Sequence, residues 1–374
     1  MPGLLANVDP DGLLEFSVVY TDRSLNHMSK QFQQVMIEIS SIFKEAYNAH
    51  SAVIVPGSGT FGMETVARQF SQKQKCLIIR NGWFSYRWTQ IIDAGLITQD
   101  AHVLKARQTE NTTTGSFAPP PIDEVIAFIK NERPSVVFVP HVETSSGIIL
   151  PDDYVHAIGE AVEAAGGLFV LDCIASGAIW VDMKKNKVDV LISAPQKGWS
   201  STPCCAMIGL SERAREKINH TQSNSFSMDL KKWLQIMENY ENGSHLYHST
   251  MPTDSLKILR NNMKETRAIG FSATKASQLE LGNKVRALLE SNNYISVAAP
   301  GFKAPGVVVS YTSDPDIQNS KKFLQLGMQI AAGVPLQCDE RADYRTFRLG
   351  LFGLEKLQNI DRTLGHLKEA LERV

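Results

Sequence analysis

The sequence lacks the features that mark a membrane-spanning or a nucleic-acid-binding protein. No apolar run approaches the ~20 residues that a transmembrane helix needs. The 38 Lys and Arg residues are balanced by 39 Asp and Glu residues, so the net charge is −1. This balance leaves no basic surplus for a polyanion or an anionic lipid surface. We therefore expect neither nucleic acid nor a membrane among the partners.

Cysteine is scarce, and its placement does not predict disulfides. The chain has five cysteines, an odd number, and two of them, Cys204 and Cys205, are adjacent. This pattern does not make a disulfide framework. The N-terminal stretch MPGLLANVDPDGLLEF is acidic where a signal peptide has basic and then apolar residues. We expect no signal peptide and a cytoplasmic location.

The chain does contain short β-branched runs that alternate with helical patterns. Its 374 residues, 43% of them hydrophobic, suffice for two packed domains or for one large and one small domain. Runs such as VVFV and LFVL are apolar on both faces, as strands of a buried parallel sheet are. The predicted strands are 52–55, 76–79, 135–139, 168–171, 188–192 and 205–210. The clearest predicted helices are 63–70, 122–130 and 154–164.

The pattern changes in the last third of the chain. A long helical pattern from Leu256 predicts a connecting helix or a helix pair. Strand-like YISVAAP, APGVVVSYTS and TFRLGLFG follow, with helices predicted at 320–332 and 358–373. We divide the chain into an N-terminal arm (1–25), a large domain (26–255), a connecting helix (256–290) and a small C-terminal α/β domain (291–374).

Ligands of parallel α/β folds bind beyond the carboxyl ends of the strands, so the residues found there are informative. The predicted strands are followed in turn by PGSGTFG, RNGWFSYR, PHVETSSG, Asp172 and SAPQKGW. Together these segments supply a glycine-rich helix start, aromatic rings, one carboxylate and one lysine. This set is typical of a site for a phosphorylated aromatic cofactor.

The stretch GSGTFG, residues 57–62, stands between a predicted strand and a predicted helix. Backbone N–H groups and the helix dipole at such a position suit a phosphate. The stretch also matches the dinucleotide pattern G-x-G-x-x-G, which expects a carboxylate at the end of the next strand. That strand ends in Arg80, so an NADP-dependent oxidoreductase remains as an alternative, beside a glycine-rich turn without a ligand.

Asp172 and Lys197 follow consecutive predicted strands, whose ends face one crevice. A carboxylate after an apolar strand either caps a helix or pairs with a cation or a protonated ring. Lys197 is either a surface lysine or an amine desolvated enough to attack a carbonyl carbon. Together they match the pyridoxal phosphate arrangement, in which a lysine forms a Schiff base and a carboxylate holds the pyridine nitrogen.

Two residues near the C-terminus have alternative interpretations. Arg348, in TFRLGLFG, is either half of a structural ion pair or a bidentate clamp for a substrate carboxylate. Cys338 is either an inert buried thiol or a nucleophile on a mobile loop, and we favour the inert thiol.

From about Asn26 onward the chain resembles the class V, fold-type I pyridoxal phosphate aminotransferases, in particular the alanine–glyoxylate and serine–pyruvate group. PGSGTFGMETV resembles the phosphate-binding cup of that family, which would assign Ser58, Gly59 and Thr60 to the phosphate. RNGWFSYR resembles the segment whose aromatic ring stacks on the cofactor; the aligned position is Phe84, with Trp83 as the alternative. The resemblance of HVETSSG to a family motif places Thr144 near the cofactor ring.

The remaining motifs extend the resemblance to the C-terminal part of the chain. LFVLDCIAS resembles the strand whose aspartate, here Asp172, pairs with the ring nitrogen. SAPQKGW resembles the Schiff-base loop, with Lys197 as the lysine and Gln196 on the phosphate. LYHSTMP is similar to a segment that a neighbouring subunit lends to the phosphate. FRLGLFG is similar to the segment with the carboxylate-binding arginine, Arg348. In LYHSTMP, the residues that would reach the phosphate of the neighbouring subunit's site are Tyr247 and Thr250.

The resemblance implies a fold and a function. The fold would be a mostly parallel, seven-stranded sheet in the large domain with a small α/β domain after it. The function would be pyridoxal phosphate-dependent transfer of an amino group from a small amino acid, of the alanine or serine type, to glyoxylate or pyruvate by a ping-pong mechanism. The enzyme would be a homodimer whose active sites are shared between subunits.

Two features qualify this expectation. The N-terminal MPGLLANVDPDG only partly resembles the family's P-G-P turn, which contacts substrate. A pyridoxal phosphate-dependent lyase or cysteine desulfurase is the alternative, since desulfurases carry a reactive cysteine before their arginine, as Cys338 stands before Arg348. Two positions argue against this alternative. Desulfurases have a histidine directly before the Schiff-base lysine, where this chain has Gln196. They also stack a histidine on the cofactor ring, where this chain has Phe84 or Trp83.

Overall fold

Helices and strands alternate through residues 13–374, the part of the chain that the computed structural model describes. The helices are α1 Lys30–Tyr47, α2 Gly59–Phe70, α3 Trp83–Ala94, α4 Ile122–Glu132, α5 Asp152–Ala165, α6 Glu212–Ile218, α7 Leu230–Glu241, α8 Thr253–Ile269, α9 Phe271–Ser291, α10 Pro315–Gln318, α11 Lys321–Gln325, α12 Leu354–Gln358 and α13 Ile360–Leu371. The strands are β1 Ser51–Pro56, β2 Cys76–Arg80, β3 Ala101–Lys105, β4 Arg107–Gln108, β5 Phe117–Ala118, β6 Val136–Pro140, β7 Val142–Glu143, β8 Ile148–Ile149, β9 Leu168–Asp172, β10 Val190–Ser193, β11 Cys205–Leu210, β12 Val307–Tyr311, β13 Ala331–Ala332 and β14 Thr346–Gly350.

Seven strands form the main sheet, in the order β1-β11-β10-β9-β6-β2-β3. The pairs from β10 through β3 are parallel, whereas β11 runs antiparallel to both of its neighbours. Strands β2, β6, β9 and β10 are buried along their whole length because helices cover both faces. The α/β fold with a mainly parallel seven-stranded sheet is thereby confirmed.

The sequence pattern located six of the seven strands and missed β3. All five residues of this edge strand are only half-buried, and its sequence, AHVLK, mixes polar with apolar residues. An edge strand of this kind lacks the continuous apolar run by which the buried strands are recognised.

A second, three-stranded antiparallel sheet, in the order β12-β14-β13, lies in the C-terminal part. It packs with α9, α12 and α13 around a separate apolar cluster that includes the buried side chains of Val285, Phe323 and Phe347. The predicted domain boundaries are not tested by this arrangement and remain a prediction, and residues 1–12 of the predicted N-terminal arm lie outside the described part.

Three C-terminal expectations need correction or refinement. The helix predicted at 320–332 is wrong beyond Gln325, because Gly327 adopts a left-handed φ of 78° that a helix cannot contain, and 331–332 form β13 instead. YISVAAP makes only isolated bridges, at Ser296 and Ala298. The connecting segment is a helix pair, α8 and α9, separated at Gly270, where φ is 102°.

Candidate active site

A cavity of about 540 Å³ opens at the carboxyl ends of the main-sheet strands and is closed on its other side by the small sheet. It brings together eight of the eleven residues that the sequence singled out. These eight are Gly59, Thr60, Phe84, Thr144, Asp172, Gln196, Lys197 and Arg348. Ser58 precedes the lining residue Gly59, whereas Tyr247 and Thr250 do not line the cavity.

Lys197 reaches the cavity from the loop between β10 and β11. The loop is held by Trp199, which is fully buried and donates its indole N–H to the Ser193 hydroxyl at 3.2 Å. The ammonium nitrogen of Lys197 lies 4.9 Å from the centre of the Phe352 ring. Burial lowers the pKa of Lys197, and the positive field of Arg348 lowers it further. The lysine is therefore closer to a neutral, nucleophilic amine than a surface lysine would be.

Asp172 ends β9 directly beside β10, in parallel register with Ile192. Its side chain is buried, and its Oδ1 accepts one hydrogen bond, at 2.9 Å, from the backbone N–H of Ile174. Burial raises the pKa of this carboxyl group to about 7, and the nearby charge of Glu143 contributes in the same direction. The positive charge of Arg87 acts against this shift, but Asp172 forms no ion pair within residues 13–374, and a protonated ring nitrogen would supply a partner.

The start of α2 forms the glycine-rich end of the cavity. Gly57 has φ 124°, a value that side-chain-bearing residues rarely adopt, and this lets β1 turn sharply into the helix. Ser58 is the N-cap residue, but its hydroxyl makes no capping hydrogen bond. A Cβ atom on Gly59 would come within 2.6 Å of the Ile174 side chain, so a larger residue here would have to displace that side chain. Free N–H groups and the helix dipole make this end a suitable anion site.

The two candidate stacking aromatics differ in their placement. Phe84 lines the cavity, whereas Trp83 is not among the lining residues and its ring lies 5.7 Å from that of Tyr86, centre to centre. Two guanidiniums lie near the Phe84 ring: that of Arg87 is 5.2 Å from the ring centre and that of Arg348 is 5.4 Å from it. Of these two side chains, Phe84 is thus the one available to a ligand in the cavity.

Glu143 positions this aromatic, and sequence reasoning missed it. Its buried carboxylate accepts hydrogen bonds from the backbone N–H groups of Phe84 (3.2 Å) and Ser85 (2.8 Å) and from the side chains of Ser85 and Ser145 (both 2.7 Å). Ser145 in turn accepts from the N–H of Trp83 at 2.8 Å. Helix α3 begins after a glycine that has no side chain with which to cap it, so Glu143 serves as the cap from another strand. The signal that could have suggested it is a helix start without a capping side chain, together with an acid in the HVETSSG motif at the end of a neighbouring strand.

Arg348 comes from β14 and faces Lys197 across the cavity. Its Nε donates to the carbonyl of Ala332 at 2.8 Å, which leaves its two terminal NH2 groups for other acceptors. Burial lowers the pKa of Arg348, although the group stays cationic because an arginine pKa starts so high. It forms no ion pair with any carboxylate in residues 13–374, so the structural ion pair considered from the sequence is not made.

Tyr247 and Thr250 lie on an exposed segment away from the cavity. The Tyr247 hydroxyl and the Thr250 hydroxyl are 3.1 Å apart, and the tyrosine ring lies 5.6 Å from the ring of His27. The Tyr247 side chain is 51% exposed. Neither residue lines the cavity of its own chain.

The two residues that supported other activities are engaged elsewhere. Cys338 is buried, its thiol lies 3.4 Å from the carbonyl of Arg80, and burial raises its pKa to about 12. Such a thiol is not a nucleophile near neutral pH. The buried Arg80 guanidinium donates to the Gln337 carbonyl (3.2 Å) and the Thr89 hydroxyl (2.8 Å), and it is not among the residues that line the cavity.

With this geometry established, comparison with known proteins identifies the family. The model of the class V aminotransferase family matches residues 14–340. The chain belongs to this family. Arg348 lies beyond the matched range, so the family match does not support its role, which is inferred from its position in the cavity.

Individual relatives of this class V aminotransferase are distant but similar over most of their length. The alanine–glyoxylate aminotransferase of Oryctolagus cuniculus is 25% identical over 361 residues, with 93% of this chain and 87% of the relative covered. An alanine–glyoxylate aminotransferase from Nostoc sp. has a similar fold, with a TM-score of 0.78 at 20% identity, covering 92% of this chain and 88% of that one. An aspartate aminotransferase from Thermus thermophilus gives a TM-score of 0.77 at 21% identity, covering 93% of each chain.

Family and fold together make the protein a pyridoxal phosphate-dependent transaminase. The donor set in the cavity fits this cofactor. The buried Asp172 carboxylate is an acceptor for a protonated ring nitrogen, and the start of α2 is a site for a phosphate. The buried Oε1 of Gln196 has no partner in the described part of the chain, so this amide is free to turn and present its NH2 group to an anion.

Proposed function

We propose that this class V aminotransferase moves the amino group of a small amino acid, of the alanine or serine type, to a small 2-oxo acid such as glyoxylate or pyruvate. The observation that carries the proposal is the placement of Lys197, Asp172 and Arg348 around one cavity. The curated relative from Oryctolagus cuniculus, named as an alanine–glyoxylate aminotransferase, supports it.

We assign each role in cofactor binding to a residue in this cavity or next to it. Asp172 would hold the proton on the ring nitrogen, Phe84 would support one ring face and Thr144 would lie near the ring. Ser58, Gly59, Thr60 and Gln196 would hold the phosphate. When bound, the cofactor supplies an electron-accepting ring that stabilises the charge left on Cα when the Cα–H bond breaks.

Lys197 would provide the amine that attacks the cofactor's carbonyl carbon, and it would also move the substrate's proton. The lowered pKa of its ammonium group leaves more of the neutral amine available for both steps. Its neutral amine would accept the proton that leaves the substrate's Cα and would then hold that proton for return on the same side of the site. The lysine is thus the general base and the general acid of the same transfer.

Arg348 would bind the carboxylate that amino donor and 2-oxo acid acceptor share. Its two terminal NH2 groups can form a bidentate pair with a carboxylate, which orients the Cα–H bond toward Lys197. Because both substrates would use this one anchor, they bind in turn, as a ping-pong mechanism requires.

The rest of the cavity favours a short, uncharged side chain on the substrate. The side chains next to Arg348 are apolar or small, among them Val307, Ile330, Ala331 and Phe352. A second substrate carboxylate would meet no cation on this side of the cavity, as far as residues 13–374 line it, so alanine, serine, glyoxylate and pyruvate fit it better than dicarboxylates.

A homodimer with shared sites would explain the exposed segment at Tyr247 and Thr250. Placed against the cavity of a second copy, their hydroxyl groups would reach the phosphate there. The arm that precedes α1 exposes apolar side chains, which supports an interface with a partner. These side chains are Leu13, Leu14, Phe16 and Val18. Sedimentation at micromolar concentration should show a dimer, and a monomeric active enzyme would contradict the shared site.

We also place the enzyme in the cytoplasm. Its five cysteines are all free thiols, which suits a reducing compartment. No helix among residues 13–374 is long and apolar enough to cross a membrane. Fractionation of cells that express the untagged chain would test the location.

The activity is tested by following single half-reactions of the purified holoenzyme. L-Alanine or L-serine without an acceptor should yield one equivalent of 2-oxo acid per site and then stop, with a lasting change in the cofactor's absorption. Added glyoxylate should restore the original spectrum and become glycine. Continuous product formation without an acceptor would identify a lyase, and sulfide formed from cysteine alone would identify a desulfurase.

A further inference from the structure

Arg87 is a second guanidinium in the cavity, on the first turns of α3, and none of the roles assigned above uses it. It is half-buried and lines the cavity with Arg348. Neither arginine forms an ion pair with a carboxylate in the described part of the chain. A partly desolvated guanidinium without a counter-ion is costly, so each arginine calls for an anion supplied by a ligand.

The hydrogen bonds of the two arginines point to different anions. Arg348 donates to Ala332 in the small sheet, and its field acts on Lys197. Arg87 donates from one terminal nitrogen to the hydroxyl of Thr60, at 2.9 Å. Thr60 is the second residue of α2, at the glycine-rich end of the cavity. The two guanidiniums are therefore bonded to different parts of the site, Arg348 to the small sheet and Arg87 to the start of α2.

The bond to Thr60 also orients that hydroxyl. Because its oxygen accepts from Arg87, its one hydrogen is left to donate to something else. The other donors at this end, from the start of α2 and from Gln196, are neutral. Arg87 is thus the one permanent positive charge among the side chains of residues 13–374 that line this end of the cavity, where a dianion would sit.

We propose that Arg87 binds the cofactor phosphate, both directly through its free terminal nitrogen and indirectly by orienting the Thr60 hydroxyl toward the same anion. This assignment rests on the proposed function only in that pyridoxal phosphate occupies the cavity. The two arginines then have separate roles, since Arg87 holds the phosphate of the cofactor and Arg348 holds the carboxylate of the substrate.

The test compares pyridoxal phosphate with pyridoxal, which has the same ring and aldehyde but no phosphate. Affinities of both for the full-length apoprotein are measured by quenching of tryptophan fluorescence, for the wild type and for Arg87→Met. We expect Arg87→Met to weaken the binding of pyridoxal phosphate about 10- to 100-fold, because a charged hydrogen-bond partner is lost. The binding of pyridoxal should weaken by less than about twofold. Because the Phe84 contact is common to both ligands, their ratio isolates the phosphate.

Two further variants complete the design. Arg87→Lys keeps the charge but not the fork of donors, so it should lose less affinity for pyridoxal phosphate than Arg87→Met, and it covers the case in which Arg87→Met fails to fold. Arg348→Met should leave the ratio of the two affinities unchanged, because the effect of its charge on Lys197 is common to both ligands. Inorganic phosphate should compete with pyridoxal phosphate less well in the Arg87 variants than in the wild type.

An unchanged ratio of the two affinities in both Arg87 variants would overturn the assignment. So would a higher KM for the 2-oxo acid with pyridoxal phosphate affinity intact, since Arg87 would then be a substrate residue. Failure of the proposed transamination looks different, because cofactor affinities can be measured in a protein that turns over no substrate.

Discussion

The two walls of the cavity are built in different ways. The wall from the main sheet carries Asp172 and Lys197 at the ends of adjacent parallel strands whose residues are buried throughout. The opposite wall carries Arg348 on β14 and Ala331 on β13, a strand of only two residues that are both exposed. The groups that handle the cofactor therefore stand on the most constrained part of the molecule, and the groups that meet the substrate stand near an exposed edge.

This difference has a functional consequence. Proton transfer and ring binding demand fixed distances, which buried neighbouring strands supply. Substrate choice depends on the shape of an edge that can change without disturbing the core. Substitutions in the main-sheet wall should thus remove chemistry or cofactor, whereas substitutions in the small-sheet wall should alter KM.

The strongest test of this division is Lys197→Ala, which removes the amine from the main-sheet wall. Turnover of alanine with glyoxylate should fall by at least ~10³-fold, because both covalent binding and proton transfer are lost. Steady-state kcat measures the effect, with Lys184→Ala, at an exposed lysine of the same chain region, as the matched control. After borohydride reduction of the wild type, the labelled peptide should contain Lys197; a label elsewhere refutes the assignment.

Asp172→Asn should separate catalysis from stability. We expect turnover to fall by roughly 10²- to 10⁴-fold, since a neutral amide no longer holds the ring nitrogen protonated. In the cofactor-free protein, however, the same change should be stabilising at pH 8, by roughly 2–4 kcal/mol.

The sign follows from the pKa of Asp172, which burial raises from 3.8 to about 7. The folded apoprotein keeps a proton on this group that the unfolded chain releases, so stability from this source is full below about pH 4 and is lost as the pH rises through about 7. Thermal unfolding of wild type and variant at pH 4 and pH 8 measures it. Equal differences at both pH values would show that the carboxyl group is not perturbed.

Arg348→Met probes the small-sheet wall. We expect KM for both the amino acid and the 2-oxo acid to rise about 10- to 100-fold, because a charged hydrogen-bond pair to the carboxylate is lost. Cofactor affinity should stay within twofold of the wild type. Full kinetics on both substrates provide the measurement, and an unchanged KM for both would exclude the carboxylate clamp.

Glu143→Gln probes the support of the main-sheet wall rather than its reactive groups. The amide would place an NH2 group among N–H donors, so we expect a loss of roughly 1–3 kcal/mol in the free energy of unfolding. Cofactor binding should weaken as well, because Phe84 loses its backbone anchor. Denaturant unfolding measures this, with Glu132→Gln, at an exposed ion pair with Lys75, as a control that should change by less than about 1 kcal/mol. Equal losses of unfolding free energy in the two variants would show that Glu143 does not support the site.

Cys338→Ala should have the smallest effect on activity. The thiol lies behind the main-sheet wall and its pKa is about 12, so it takes no part in the reaction. Transamination should remain within about twofold of the wild type. The variant also separates the alternatives, because a cysteine desulfurase would lose sulfide release from cysteine altogether.

Some features of this site could be predicted from local sequence and others could not. Asp172 and Lys197 stand at the ends of continuous apolar strands, and the glycines after β1 mark a sharp turn into a helix. These signals are local, so the sheet and the position of its carboxyl edge were predictable. The orientation of α3 is not local: Glu143, some sixty residues further along the chain, caps this helix, and that cap directs Phe84 rather than Trp83 into the cavity.

The sequence by itself determined that the protein is an α/β chain with a mainly parallel sheet, and it singled out the residues that the strand ends carry toward one crevice. Burial and periodicity operate over a few residues, so they are readable from a single chain. Only the tertiary structure decided that Arg87 donates to Thr60, that Cys338 is buried against Arg80 and that Tyr247 and Thr250 do not line their own cavity. Each of these depends on contacts between segments far apart in sequence, where distance and solvent exposure, rather than residue type, set the charge and reactivity of a side chain.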